Sequence, residues 1–273
     1  MKPMLAHRWE DHSHKLTYPL YVQPKLNGVR ALFFNGTFQS RDEHHWNPSV
    51  LSHLIPPLLT TYSHLLLDGE LYLHGTPLQT INGAISVNRN APTSLTPSIQ
   101  YWIFDCIPAD IPDAAFSVRH ALLEAHAHRL PNSIRLTPTH LCATPAEADH
   151  YFSQYKSDNY EGLMYRPDLP YGLSHLCTNK QNRWSRLLKR KDWLDSEFTC
   201  IDIERGAGKY SDSVGALVFE SPSGLRFTAG SGLTDELRTT YLHTPPIGRL
   251  FRIRYETLSL NGIPLKPTIE AVL

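Results

Sequence analysis

The stretch Lys25-Leu26-Asn27-Gly28-Val29-Arg30 lies between two apolar runs, residues 18–22 and 29–34. These runs predict two β-strands joined by a tight connection. A glycine in such a connection lets another backbone or a ligand approach closely, so the neighbouring Lys25 is placed to meet a substrate. A hairpin turn that carries a solvated ammonium group explains the same hexapeptide equally well. The rest of the chain decides between the two interpretations.

The composition is that of an ordinary folded protein of one or two domains. The chain has 273 residues, of which 41% are hydrophobic and 19% charged, and this argues against disorder. Basic and acidic residues both number 26, so the formal net charge is zero. Binding to nucleic acid would therefore depend on local patches of positive charge rather than on the whole chain.

Cysteine usage and the amino terminus bear on the cellular compartment. The four cysteines, at positions 106, 142, 177 and 200, form no Cys-x-x-Cys pair, so we expect reduced thiols and no zinc site. The first apolar run is too short for a signal peptide, and no apolar stretch is long enough to cross a membrane. These features predict a cytoplasmic protein without a membrane segment.

Hydrophobic patterning divides the chain near residue 192. Residues 1–191 are rich in short β-runs, among which stand three helical patterns, at 47–59, 114–129 and 145–156; Pro56 and Pro57 are expected to end the first. Beyond a hinge at 192–196, residues 197–273 hold a short helical pattern near 234–240 and five candidate strands, at 197–204, 216–220, 226–229, 250–255 and 268–272. This content is typical of a small OB-type barrel.

Acidic residues occur within or beside apolar strands of the first domain. Glu70 lies in the run 67–72, where a charge is costly unless it is paired or functional. Structural pairing is the simpler interpretation for such an acid taken alone. The run 101–105 ends in an acid, and the run 161–166 begins with Glu161. The aromatic residues of 101–105 fit a core, although one of them could stack on a base.

Basic residues supply a second set of candidates. Ser40-Arg41 follows a predicted strand and could offer a guanidinium group to a ribose or a phosphate, although a solvated arginine is the simpler interpretation. In residues 186–191 apolar and basic positions alternate, which would send Lys189 and Lys191 to one face of a strand. An edge strand guarded by solvated lysines explains that pattern as well.

Taken in order, these segments resemble the motifs of the covalent nucleotidyltransferase superfamily, and of ATP-dependent DNA ligases in particular. Residues 25–30 are similar to Lys-x-Asp-Gly-x-Arg, with Asn27 in place of the usual Asp. Ser40-Arg41 is similar to Ser-Arg-x-Gly, with Glu43 in place of the usual Gly. The other nucleotide-site motifs resemble residues 67–72, 101–105, 161–166 and 188–191, and residues 215–217 and 230–238 are typical of ligase OB domains. Each motif is weak alone, and their shared order carries the resemblance.

The resemblance implies an α+β fold in the minimal two-domain form of the family. Residues 1–191 would form a nucleotidyltransferase (ATP-grasp-like adenylation) domain of antiparallel sheets with helices, and residues 197–273 a small OB-fold β-barrel. Residues 205–213 make a short connection where some minimal viral ligases carry a long clamp. The partner would be nicked duplex DNA, which a monomer binds in the cleft between its domains and through basic patches, with salt-sensitive affinity.

The implied chemistry begins with a covalent enzyme–nucleotide intermediate. A free lysine amine is mostly protonated near neutrality, and neighbouring cations favour its neutral, nucleophilic form. By resemblance, Lys25 attacks the α-phosphate of ATP. Lys189 and Lys191 would be catalytic as well, because with a divalent metal they supply the neighbouring positive charge, and they also line the nucleotide site. The AMP then passes to a DNA 5′-phosphate, and the adjoining 3′-hydroxyl seals the strand. Glu161 and Glu70 would hold Mg²⁺, or Mn²⁺ in its place, because both ions take hard oxygen ligands.

The resemblance also implies roles for residues around this centre. Arg30 and Arg41 would hold the nucleotide or the DNA 5′-phosphate, and Glu70 the ribose. Phe104 would stack on the adenine. Near the C-terminus the family tends to read Leu-Arg-x-Pro, with an arginine that orients the pyrophosphate; Lys266 fits that place only if the spacer residue is missing. Lysine lacks the bidentate fork of arginine, so enzyme adenylation is the step most exposed to this change.

Alternatives stay open at this point. An ATP-dependent RNA ligase would share most of the nucleotide-site motifs, and a capping guanylyltransferase is a further candidate. A non-catalytic nucleic-acid-binding relative would explain Asn27 and the altered C-terminal motif as decay, but the retained Lys25, Glu70 and Glu161 argue against it. Covalent labelling with ATP or with GTP would separate these functions.

Overall fold

The computed structural model describes residues 2–172, 183–259 and 261–273. The chain divides into two compact units, Met1–Lys191 (unit 1) and Asp192–Leu273 (unit 2), and each contains its own hydrophobic core. Within the described ranges, none of the helices combines the length and the apolar character that crossing a lipid bilayer requires.

Unit 1 is built from two sheets with helices packed on them. Its elements in chain order are β1 (Leu5–Arg8), α1 (Trp9–His12), β2 (Leu20–Lys25), β3 (Val29–Phe34), β4 (Thr37–Ser40), α2 (Ile55–Tyr62), β5 (Leu65–Tyr72), α3 (Leu78–Ile85), β6 (Gln100–Pro108), α4 (Phe116–Glu124), β7 (Ile134–Leu136), β8 (His140–Cys142), α5 (Pro145–Ser157), β9 (Gly162–Arg166) and β10 (Arg183–Lys191). Short 3-10 turns lie at Ser13–Lys15, Thr96–Ser98 and Ala127–Arg129.

The first sheet has the strand order β1-β10-β9-β2-β8. Its strands β1 and β10 run parallel, whereas the other neighbours are antiparallel. Leu20 and Val22 belong to the buried cluster that this sheet shares with α5. That helix begins sharply because the Thr144 hydroxyl accepts from the Glu147 N–H and the Glu147 carboxylate accepts from the Ala143 N–H.

The second sheet has the order β4-β3-β5-β6-β7 and carries the largest hydrophobic cluster. Its register changes once between β5 and β6. Gly69 pairs with Ile103 and Asp68 pairs with Asp105, so Phe104 is an extra residue on β6. An inserted residue of this kind, a β-bulge, bends the strand and changes the direction of a side chain.

The helices of unit 1 differ in part from the sequence prediction. The predicted helix over 47–59 is wrong: α2 begins at Ile55, and Pro56 and Pro57 lie in its first turn instead of ending it. Proline is accepted there because the first N–H groups of a helix have no partner within the helix. The pattern at 114–129 separates into α4 and a 3-10 turn, and α3 was not predicted. The third predicted helix is confirmed as α5.

Unit 2 contains the five predicted strands and the predicted helix. Its elements are β11 (Leu194–Arg205), β12 (Val214–Glu220), β13 (Arg226–Ala229), α6 (Asp235–His243), β14 (Leu250–Tyr255), β15 (Thr257–Leu258), β16 (Pro264–Leu265) and β17 (Thr268–Val272), with a 3-10 turn at Gly208–Tyr210. The main sheet has the order β13-β12-β11-β14-β17. Within the described residues it is an OB-like sheet without full barrel closure, although one bridge joins Ser231 to Thr268. The α+β fold class is confirmed.

Arg238, on α6, ties three loops and strand ends of unit 2 together. Its buried guanidinium group donates to the carbonyls of Val214 at 2.8 Å, Gly215 at 2.6 Å and Gly230 at 2.5 Å. The glycines allow this convergence, since a Cβ on Gly230 would lie 2.5 Å from the Gly215 oxygen. The glycine pattern at 215–217 and 230–238 therefore has a packing reason.

The described cysteines, Cys106, Cys142 and Cys200, are buried free thiols. Burial raises the pKa of the Cys142 thiol to about 11, so this group is protonated at neutral pH. Cys177 lies outside the described residues.

Candidate functional site

Lys25, Gly162 and Lys191 are register partners on β2, β9 and β10. Directly paired residues of neighbouring strands project from one face of a sheet, and Gly162 contributes no side chain there. The glycine is required, because a Cβ would lie 2.1 Å from the backbone oxygen of Arg190. The sheet thus presents two lysines on one face. Their strands are separated by β9, so their backbones lie about 10 Å apart.

Glu161 contacts both of these lysines. Its backbone N–H donates to the Lys25 carbonyl at 3.0 Å, which fixes it at the start of β9. The Lys25 ammonium donates to Glu161 Oε2, and the Lys191 Nζ lies 3.5 Å from Glu161 Oε1. Lys191 is buried, whereas Lys25 is partly open to solvent. A single carboxylate therefore holds two amines together, one of which a ligand can reach.

Lys189 lies on β10 opposite Met164, two residues before Lys191. Alternate residues of a strand point to the same face, so the Lys189 side chain leaves the sheet on the side of the two site lysines. Its side chain is half-buried. The alternating residues 186–191 thus belong to a strand that pairs with β9 on one side and β1 on the other, so it is not an edge strand.

Glu70, on β5, pairs in register with Arg30 on β3 and accepts the Gly28 N–H at 3.1 Å. Burial raises the pKa of the Glu70 carboxyl to about 7, although the charges of Lys25 and Arg30 act in the opposite direction. A Cβ on Gly28 would lie 2.5 Å from the Leu71 oxygen. The connection at residues 26–28 therefore packs directly against the backbone of β5, and only glycine leaves enough room at position 28.

Arg30 is held in a two-point ion pair. Its Nε donates to Asp68 Oδ1 at 2.9 Å, and its Nη2 donates to Asp68 Oδ2 at 2.5 Å. The Arg30 Cζ lies 5.3 Å from the ring centre of Phe104, and the Arg166 Cζ lies 5.2 Å from it. These are cation–π distances, so the bulge on β6 directs the Phe104 ring toward the guanidinium groups.

A buried polar network beneath the site was not predicted from the sequence. Asp105 accepts from Arg119 Nε at 2.8 Å and from Arg166 Nη1 at 2.7 Å, and Arg166 Nε donates to Gln23 Oε1 at 2.6 Å. Both Asp68 and Asp105 are 0% exposed. In the sequence, only the acidic residues within apolar runs indicate such a network. Their arginine partners lie on other elements, so the pairing itself is not visible in the sequence.

The sequence matches two family models. The model described as "ATP dependent DNA ligase domain" matches residues 3–191, well over half of the chain. The chain belongs to the ATP-dependent DNA ligase family. A second model, described as "DNA ligase OB-like domain", matches residues 205–272 of this ligase-family chain.

Individual ligases agree with this assignment. The DNA ligase of Haemophilus influenzae is 23% identical over 247 residues, which cover 89% of this chain and 82% of that protein. The DNA ligase of an African swine fever virus isolate is 27% identical over 275 residues, which cover 90% of this chain and 61% of the viral protein. The chain thus spans less than two thirds of the viral relative.

Two solved structures share the fold over the whole chain. A structure from a study of DNA binding by Lig E DNA ligases with a minimal scaffold has a TM-score of 0.80 at 20% identity, and the match covers 100% of this chain and 99% of that one. The Chlorella virus DNA ligase-adenylate has a TM-score of 0.56 at 21% identity, with 100% and 98% covered. The predicted family is confirmed, and a DNA ligase is favoured over the RNA ligase and the non-catalytic relative.

Two predicted site residues of this ligase-family chain are exposed, and each lies near a carboxylate of its own unit. Arg41 follows β4, is 58% exposed and lies 3.7 Å from the carboxylate of its neighbour Asp42. Lys266 belongs to unit 2, is 74% exposed and donates to Glu256 at 2.8 Å. Its φ of 53° lies in the left-handed region.

The carboxylates available for a metal ion are few. Among the described residues no cluster of three or more histidine, cysteine, aspartate or glutamate side chains could hold a metal. Glu161 and Glu70 supply oxygen ligands beside Lys25, and both are partly exposed. Such a donor set fits Mg²⁺, which binds through one or two carboxylates and takes its other ligands from phosphate oxygens and water.

Proposed function

We propose that this chain is an ATP-dependent DNA ligase that seals nicks in duplex DNA through a lysyl-AMP intermediate on Lys25. Residues 1–191 would act as the adenylation domain and residues 197–273 as the OB domain of a monomeric, cytoplasmic enzyme. The observation that carries the proposal is the convergence of Lys25 and Lys191 on Glu161, on one face of a sheet that is open at Lys25.

The first step follows from these contacts. The Lys25 nitrogen attacks the α-phosphorus of ATP, a nitrogen–phosphorus bond forms, and the bond to the pyrophosphate oxygen breaks. The amine must first lose a proton and leave its ion pair with Glu161 Oε2. Lys191, on the other oxygen of the same carboxylate, weakens the hold of Glu161 on Lys25 and adds positive charge beside the phosphates.

The neighbouring residues would bind and orient the nucleotide. Arg30 offers a guanidinium group that Asp68 has already fixed, and Glu70 would accept a ribose hydroxyl. The Phe104 ring would stack on the adenine. Mg²⁺, held by Glu161 and Glu70, would neutralise charge on the phosphate oxygens.

The later steps transfer the AMP to DNA. The 5′-phosphate of a nick attacks the phosphorus of lysyl-AMP, which returns the Lys25 amine and leaves an AMP-capped 5′ end. The adjoining 3′-hydroxyl then attacks that 5′-phosphate, the strand is joined and AMP leaves. Lys189 and Arg41 supply cationic groups for these phosphates.

Label transfer tests the proposal. Purified protein, stripped of bound AMP with pyrophosphate, is incubated with Mg²⁺ and α-³²P-ATP, and the label that survives denaturation in SDS is measured. We expect label on the wild type and on the exposed-lysine control Lys15→Ala, and none on Lys25→Ala or with GTP. Nicked DNA should then discharge the label and yield a sealed strand.

The strand composition of the nick distinguishes the DNA ligase from an RNA ligase. Nicks with DNA on both sides should be sealed faster than nicks between RNA strands. An unlabelled wild type would refute the lysyl-AMP mechanism and leave a nucleic-acid-binding relative as the better account. Label that persists in Lys25→Ala would refute Lys25 as the nucleophile.

A further inference from the structure

Tyr171 is a fully buried tyrosine whose hydroxyl group lies among site residues. The hydroxyl donates to Asp68 Oδ2 at 2.6 Å and accepts the Met4 N–H at 3.1 Å. Its oxygen also lies 3.5 Å from Arg30 Nη2. One donor and two acceptor positions are what a tyrosine hydroxyl can offer, and all three face these groups.

Asp68 connects Tyr171 to Arg30. The aspartate is 0% exposed, and its two oxygens take the Nε and Nη2 of Arg30. A buried carboxylate is costly unless its lone pairs are satisfied in good geometry, and the Tyr171 hydroxyl supplies the third hydrogen bond. Without that bond, Asp68 could rotate about its side-chain torsions, and the fork that orients Arg30 would rotate with it.

The Arg30 guanidinium retains a free edge. Its Nε and Nη2 are engaged by Asp68, and no hydrogen bond of Nη1 is made to any residue in the described part of the chain. The side chain is 18% exposed, so part of it is open to solvent. Nη1 is therefore the donor that remains for a bound nucleotide.

We infer that Tyr171 is a positioning residue, which fixes Asp68 so that Arg30 directs its free Nη1 toward an oxygen of the bound nucleotide. This inference rests on the proposed function, in which Arg30 binds ATP. The Met4 backbone N–H holds the Tyr171 hydroxyl from its other side, and the Gly172 N–H donates to the Met4 sulfur at 3.4 Å. A purely structural tie between residues 4 and 171 is the competing explanation.

A matched control is available within unit 1. Tyr62 is also 0% exposed, and its hydroxyl donates to the Leu123 carbonyl at 2.6 Å, the length of the Tyr171–Asp68 bond. Tyr62→Phe therefore removes one equally buried hydrogen bond without touching Arg30. Tyr171→Phe should lower the melting temperature more than Tyr62→Phe, because it removes the hydrogen bonds to the Asp68 carboxylate and from the Met4 N–H. Nucleotide binding is therefore compared at a temperature at which both variants are folded.

The test measures ATP dependence in two ways. The rate of enzyme labelling is followed against ATP concentration, and the dissociation constant of ATP is measured by calorimetry in a Lys25→Ala background, where no chemistry occurs. For Tyr171→Phe we expect the half-saturating ATP concentration and the dissociation constant to rise about 3- to 10-fold, with the maximal labelling rate little changed. Tyr62→Phe should match the wild type, and Arg30→Ala should exceed Tyr171→Phe.

The outcomes separate the two proposals. Normal ATP dependence in Tyr171→Phe with a defect in Arg30→Ala would overturn the positioning role and leave the proposed function intact. A wild type that binds ATP without becoming labelled would overturn the lysyl-AMP mechanism, and the calorimetric comparison would still decide the role of Tyr171. If Tyr171→Phe does not fold, Asp68→Asn is measured instead, because it keeps an acceptor for the hydroxyl but removes the charge that fixes Arg30. Its dissociation constant for ATP should rise, and an unchanged value would overturn the chain from Tyr171 through Asp68 to Arg30.

Discussion

Gly28→Ala is expected to damage both the stability and the nucleotide site of unit 1. A Cβ at this position would lie 2.5 Å from the Leu71 oxygen and 2.8 Å from Glu70 Cγ, below the 3.0 Å that real Cβ contacts respect. Leu71 pairs with Val29 in the sheet, so its backbone cannot move without disturbing the ladder between β3 and β5. Overpacking of this kind costs about 2 kcal/mol.

The second part of the cost is the hydrogen bond from the Gly28 N–H to Glu70 Oε1, at 3.1 Å. Its loss adds about 1 kcal/mol, so the total destabilisation is about 3 kcal/mol. For a domain of this size, that corresponds to a fall in melting temperature of about 6 to 12 °C. Because Glu70 is displaced as well, labelling with α-³²P-ATP should slow at temperatures where the variant is still folded.

Gly83→Ala is the matched control for this substitution. Gly83 lies in α3, and a Cβ there would meet nothing within 4 Å. Alanine in a helix is more favourable than glycine by about 0.5 to 1 kcal/mol, so this variant should melt slightly higher and label normally. If Gly28→Ala melted and labelled like the wild type, the close approach of residues 26–28 to β5 would not be what demands a glycine.

Three further predictions concern single residues of either unit. Glu43 has a φ of 68°, so Glu43→Gly should raise the free energy of unfolding by up to about 1 kcal/mol in a denaturant titration; an unchanged midpoint would contradict the strain. Arg238→Lys cannot reach three carbonyls and should cost about 2 kcal/mol, visible as a lower melting temperature. The pKa of Glu70 is about 7 against 4.5 in the unfolded chain, so folding is penalised increasingly as the pH rises from 4.5 to 7. The melting temperatures of Glu70→Gln and of the wild type are measured in EDTA across that pH range, and the variant should lack this decline in stability. If the melting temperature of both proteins changed with pH in the same way, the raised pKa of Glu70 would be ruled out as the cause.

Local features of the sequence were sufficient to place much of the candidate site on shared strands and connections. Lys25, Gly28 and Arg30 lie within one connection, and the alternation at residues 186–191 placed Lys189 and Lys191 on one face. Backbone register then brought Lys25 and Lys191 to the two sides of Gly162. Adjacent strands turn such local patterns into a shared face with little further information.

The features that the sequence did not predict depend mostly on contacts between residues that are distant in the sequence. The nearly continuous apolar run of β6 gives no sign of the bulge at Phe104, because an inserted residue changes the register without changing the composition. Tyr171 stands 103 residues from Asp68, in a segment with no periodic pattern. Pro56 and Pro57 predict the end of a helix because proline has no N–H to donate. The same missing N–H also makes proline acceptable in the first turn, which is where the structure has them.

Local pairing explains how a chain of zero net charge can present a site for a polyanion. Cationic side chains outnumber acidic ones in Met1–Lys191, and the reverse holds in Asp192–Leu273. Within the site, Asp68 and Asp105 are each neutralised by arginine at hydrogen-bond distance, and Glu161 is shared by two lysines. A carboxylate that is paired in this way contributes little repulsion toward an approaching phosphate. Near neutral pH, Glu70 is also partly protonated. At the candidate site, the field that a bound nucleotide would meet is therefore set by the surplus ammonium groups on the sheet face. The net charge of the whole chain does not reveal this local surplus.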